Sequence, residues 1–91
     1  MMEAILVCSC SGVQEKAKTS FKIMFPEREQ PAIHRGRDIV KKLADKYPGT
    51  NLGRYLSAIS KKSGRYAYYI KADEDYNIVE SYDLFTGKRL A

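Results

Sequence analysis

Tryptophan is absent from this 91-residue chain, histidine occurs once, cysteine twice and proline three times. A closed zinc site wants four ligands, and a single His34 would need acidic residues or a second subunit to complete one, so no metal is expected. The same scarcity counts against hydrolytic catalysis. His34 would be the one base available to a triad, and it stands in a stretch flanked by Pro31 and Arg35. No Gly-rich phosphate loop is present either, since residues 9–13 have neither the Lys nor the spacing. No catalytic residue and no cofactor is assigned, and the chain is read as non-enzymatic.

Cys8 and Cys10 make no disulfide framework. On a strand they would share one face, and bridging them would strain the geometry. They are read as small buried residues of a reducing compartment, the wrong setting for a nucleophilic thiolate. No apolar run approaches the roughly 20 residues needed to span a bilayer. The apolar stretch 4–8 follows Met1, Met2 and Glu3 without the basic segment of a signal peptide. A soluble, cytoplasmic protein with no membrane partner is therefore expected. There is no low-complexity segment, internal repeat or linker, so residues 1–91 are read as one domain with a modest core.

Within those bounds the chain is of ordinary globular composition, 44% hydrophobic and 30% charged. Its aromatic content is seven Tyr and three Phe, and Tyr suits half-buried positions with one wet end. The charge is unevenly placed. Residues 36–65 hold eight Lys and Arg against Asp38 and Asp45, a net +6, whereas residues 66–91 are net −2. A concentrated positive patch attracts polyanions, which makes nucleic acid the first partner to consider.

The hydrophobic pattern predicts an order of elements. Residues 4–10 form a short apolar strand ended by Ser11 and Gly12. Residues 19–25 alternate, with Phe21, Ile23 and Phe25 on one face, and are expected to form a second strand that Pro26 ends. The two would pair antiparallel, and residues 27–35 would be a surface connection. Ile39, Val40, Leu43, Ala44 and Tyr47 then recur at helical spacing, with Asp38 in the first turn. Pro48 and Gly49 stop this helix. Thr50 or Asn51 caps a second one, whose apolar stripe is Leu52, Tyr55, Leu56 and Ile59, ending before Gly64. Beyond Gly64 the period becomes two. Tyr66, Tyr68 and Ile70 face one way and Arg65, Ala67, Tyr69 and Lys71 the other, and a second strand over residues 76–82 completes a hairpin. Residues 86–90 hold one more turn and a short closing segment. The expected fold is α+β in the order ββααββ, an antiparallel sheet with two helices packed on one face.

Two helices joined by a tight Pro-Gly turn and followed by a hairpin resemble the helix-turn-helix and wing of winged-helix proteins. The resemblance covers residues 36–82 and implies that the second helix is a recognition helix in the major groove. It would then offer Thr50, Asn51, Arg54, Ser57 and Lys61, with Arg54 nearest a base edge. Lys61, Lys62, Arg65 and Lys71 would sit on phosphates, as would Arg35 and Arg37 around Gly36. Two features depart from the family: the chain opens with strands instead of a helix, and the hairpin tip carries Asp73, Glu74 and Asp75, which phosphate repels. That tip superficially resembles the start of a calcium loop, but Ile78 and Leu84 stand where Gly and Glu are required. Tyr69 is the candidate for stacking on an unpaired base.

The expected function is accordingly that of a small basic regulator binding DNA or RNA. The alternative is a protein-interaction module, an inhibitor, adaptor or accessory subunit, using the Tyr-rich hairpin and a sheet edge. Either reading is compatible with a homodimer paired through an edge strand.

Overall fold

In a computed structural model of the chain, residues 3–91 are described; Met1 and Met2, which head the stretch considered above as a leader, lie outside them. Strand β1 (Glu3–Cys8) carries Ile5, Leu6, Val7 and Cys8 in succession, all buried. An apolar run without alternation belongs where both faces of a sheet are covered, and β1 is an interior strand. A 3-10 turn (Ser11–Val13) leads into helix α1 (Gln14–Met24), and the edge strand β2 (Ala32–Arg35) follows. Helices α2 (Arg37–Asp45) and α3 (Asn51–Ser60) come next, then strands β3 (Ala67–Ala72) and β4 (Ile78–Asp83). The four strands form one sheet in the order β2-β1-β3-β4. β1 runs parallel to β2, with Leu6 opposite Ile33, and the other neighbours are antiparallel.

The sheet is covered on both faces. Val13, Ala17 and Phe21, four residues apart, bring α1 down on Leu6, Cys8, Ala67 and Tyr69. On the other face α2 and α3 pack through Val40, Leu43, Ala44, Leu52, Leu56 and Ile59 onto Ile5, Val7, Tyr66, Tyr68 and Ile70. The turn between the two helices has Gly49 at φ 73°, a conformation that costs glycine little. The helices meet closely enough that a Cβ on Gly53 would lie 2.1 Å from the carbonyl oxygen of Tyr47.

The fold is thus α+β with two helices on one face, as expected, but the sheet is mixed and the described residues form three α-helices, in the order βαβααββ. Residues 19–24 belong to α1, which Phe25 caps, and none of the seven lies in a strand. The alternation of Phe21, Ile23 and Phe25 is overridden by the four-residue spacing of Val13, Ala17 and Phe21, and Ile23 is 74% exposed. Once a helix separates the first two strands, it carries the chain back over the sheet, and the strands run parallel. The last four residues of the expected surface connection 27–35 are β2 itself. β1 ends at Cys8, so Cys8 is buried as expected while Cys10 is exposed. The hairpin is part of the main sheet, and the winged-helix order is not confirmed. β3 lies between β1 and β4, and its backbone is used up inside the sheet.

Candidate nucleic-acid interface

Helix α3 places its polar side chains in two groups, one at each end. At its start, Thr50 is the N-cap. Its Oγ1 accepts the Gly53 N–H at 3.0 Å and donates to the Tyr47 carbonyl at 2.6 Å. Asn51 Nδ2 donates to Asn77 Oδ1 at 2.7 Å, and the Leu52 N–H donates to the Tyr76 carbonyl at 2.9 Å. The N-terminal turn, which a recognition helix would push into a groove, is therefore fastened to the β3–β4 hairpin and its acidic tip. Thr50 and Asn51 serve the fold.

Towards the other end, Arg54, Ser57 and Lys61 follow one another along the outer face of α3, and Arg54 and Lys61 are exposed. Ser57, Ser60 and Lys61 meet Arg37, Asp38 and Lys41 of α2 across a surface hollow of about 300 Å³. The sequence singled out Arg37, Ser57 and Lys61; Lys41, Ser60 and Asp38 are additions. A signal for Lys41 was present, because it stands one turn from Arg37 on the same helix face, as Lys61 does from Ser57. Gly36 precedes α2 with no side chain capping the helix. The unshared N–H groups of the first turn add positive potential beside the hollow. Lys41, Arg54, Lys61, Lys62 and Arg65 form no ion pair with a described residue.

Arg37 has structural work at the rim. Its Nε donates to the Lys62 carbonyl at 3.1 Å, and its terminal nitrogen donates to the Gly64 carbonyl. The guanidinium also lies 5.7 Å from the centre of the Tyr66 ring. It ties the start of α2 to the chain leaving α3, where carbonyls are left over at a helix end. Lys62 and Arg65 stand beyond that end, exposed, with the Lys62 ammonium 5.7 Å from the Tyr68 ring.

Three expected residues do not join them. Arg35 points to the α1 side of the sheet, where it donates to Gln14 Oε1 at 2.8 Å. Lys71 shares the α1-facing side of β3 with Ala67 and Tyr69 and stands opposite Glu80. Tyr69 is 3% exposed. Its ring lies 5.1 Å from that of Phe21 and 5.3 Å from that of Phe25, and Arg28 donates to its hydroxyl at 3.4 Å. Burial pushes its phenol pKa up. Neither ring face is open to a base, so Tyr69 is a core residue and not a stacking platform.

The surface thus combines cations, hydroxyls and a helix N-terminus around one carboxylate, a donor set suited to phosphate oxygens. Among the described residues no cluster of three or more His, Cys, Asp or Glu is placed to hold a metal, and no helix is long and apolar enough to cross a membrane. No protein-family model, curated protein or solved structure matches this chain.

Proposed function

We propose that this protein is a small, non-enzymatic regulator that binds nucleic acid through the phosphate backbone on the outer surface of α2 and α3. The observation that carries the reading is the convergence of Arg37, Lys41 and Lys61 with Ser57 and Ser60 on one hollow, opposed only by Asp38. Lys41 and Lys61 supply point charges, the Ser57 hydroxyl supplies a donor while that of Ser60 is held by the Ser57 carbonyl at 2.7 Å, and Arg54, Lys62 and Arg65 extend the positive surface beyond the rim. Arg54 is the residue left with reach for a base edge. With the first turn of α3 fastened to the hairpin, binding depends on phosphates much more than on sequence, and DNA and RNA both remain substrates for it.

The test is fluorescence anisotropy with DNA and RNA oligonucleotides across a salt series. Lys41→Gln/Lys61→Gln should weaken binding and flatten the dependence of log affinity on log salt by about two, near one unit for each phosphate no longer neutralised. Lys22→Gln/Lys88→Gln removes the same charge away from the hollow and should change the slope much less. Equal losses in the two double mutants would mean that net charge alone attracts the polyanion, and the interface would be wrong.

A further inference from the structure

The two edges of the sheet are treated differently. Along β4 the chain covers its own edge. The Ser81 N–H donates to the Ala91 carbonyl at 3.0 Å, the Leu90 N–H to the Ser81 carbonyl at 2.7 Å and the Asp83 N–H to the Lys88 carbonyl at 2.9 Å. Along β2 no described residue does. The Gly36 N–H donates to the Cys8 carbonyl, and the inward direction alternates along a strand. His34 and Ala32 therefore point their backbone groups at β1, while Ile33 and Arg35 point theirs outward. No described residue bonds to those outward groups.

Beside this edge, on the α2 side, lies a hollow of about 210 Å³ lined by His34, Ile39, Leu43, Lys42 and Lys46. Ile39 is 45% exposed although it stands in a helix with a well-buried apolar face. Burial and the nearby Lys46 hold the His34 imidazole below its ordinary pKa, so the floor at neutral pH is an uncharged ring. The rim carries Lys42 and Lys46, neither in an ion pair with a described residue.

We propose that β2 is a docking edge for an extended segment of a partner protein that alternates apolar and acidic side chains along one of its faces. Its backbone would pair with Ile33 and Arg35 as a fifth strand. An apolar side chain would enter the hollow against Ile39 and Leu43, and acidic side chains two residues away on the same face would meet Lys42 and Lys46. Charge selects this occupant over a second copy. Two β2 edges joined about a two-fold axis through the sheet would place the two α2 helices side by side, Lys42 and Lys46 against the same lysines. The surface is separate from the hollow between α2 and α3, and it differs from the edge of the Tyr-rich hairpin, which the closing segment occupies.

The experiment titrates the whole protein, isotope-labelled for NMR, with a short capped peptide in which Thr alternates with Glu and Val, and with its Gln- and Lys-substituted analogues. The Glu peptide should protect the Ile33 and Arg35 amides from exchange and bind roughly three- to tenfold more tightly than the Gln analogue. Lys42→Glu/Lys46→Glu, at two exposed positions that leave the core intact, should reverse the order in favour of the Lys analogue. Equal binding of the three peptides, or protection at any other strand, would overturn the proposal. So would protection of the same two amides by self-association in a sedimentation experiment without peptide, which would give the edge to a second copy.

Discussion

Tyr55 and Tyr66 both bring a phenol into the layer beneath α2 and α3, and their hydroxyls meet opposite surroundings. Tyr55 Oη lies 2.7 Å from Ser81 Oγ, and Ser81 is fully buried. The buried Tyr66 hydroxyl has no hydrogen-bond partner among the described residues. Removing one half of a buried pair leaves the other half desolvated and unpaired, whereas removing an unpaired group does not. Tyr55→Phe should therefore cost about 1–2 kcal/mol in urea denaturation, and Tyr66→Phe should cost nothing or raise stability by up to about 1 kcal/mol. An equal loss in both would show that the two hydroxyls have similar partners. The cysteines divide in the same way. Cys10 is exposed, and the Gly12 N–H above all, with Ser9, the Val13 N–H and Arg65, holds its thiol below the ordinary pKa, while burial pushes Cys8 up. Iodoacetamide on the native protein should label Cys10 and spare Cys8 until denaturant is added, with a rate at Cys10 that levels off at lower pH than for an unfolded thiol. Mass spectrometry showing both labelled at once would refute this.

At the scale of elements, α2 and α3 were legible because each carries a full apolar stripe, a stop at Pro48 and Gly49, and a cap at Thr50. The alternation of β3 was legible too, with Tyr66, Tyr68 and Ile70 on one face and Ala67 and Tyr69 on the other. What no local pattern expressed is which strand lies beside which. Phe21, Ile23 and Phe25 fit a strand as well as a helix, and only the packing of Val13, Ala17 and Phe21 on β1 and β3 decides between them. That single choice changed the pairing of β1 with β2 from antiparallel to parallel. The candidate interface was legible as the segment 36–65 and as the row Arg54, Ser57 and Lys61. Its second wall, Lys41 on α2, depends on how closely the two helices approach. Gly53 sets that approach, because any side chain there must displace the Tyr47 backbone. Gly53→Ala should destabilise the fold by about 2 kcal/mol or more, lowering Tm by roughly 8–16 °C, although Ala favours an isolated helix. A Tm at or above that of the parent would mean that the helices do not approach so closely.

Taken as a whole, the molecule is sided. The segment 36–65 that holds α2 and α3 carries a net +6, while on the other side of the sheet Arg28 is tied to Glu80 and Lys18 to Glu15. The sheet between them is sided as well, with one edge closed by residues 88–91 and one left open. A closed edge matters because a row of unpaired N–H and C=O groups is a template for pairing with other chains. Leu90→Pro tests that closure with little change elsewhere. The side chain of Leu90 is 45% exposed, so its loss costs the core little, but proline deletes the N–H that bonds to the Ser81 carbonyl at 2.7 Å. The closing segment should then detach more often. Exchange at the Ser81 and Asp83 amides should quicken about five- to tenfold, the worth of roughly one hydrogen bond, while β1 amides exchange as before. With β4 intermittently bare, sedimentation should show self-association growing with concentration. Faster exchange without self-association would mean that the twist or side chains of β4 protect the edge by themselves. Unchanged exchange would mean that the segment does not close the edge at all.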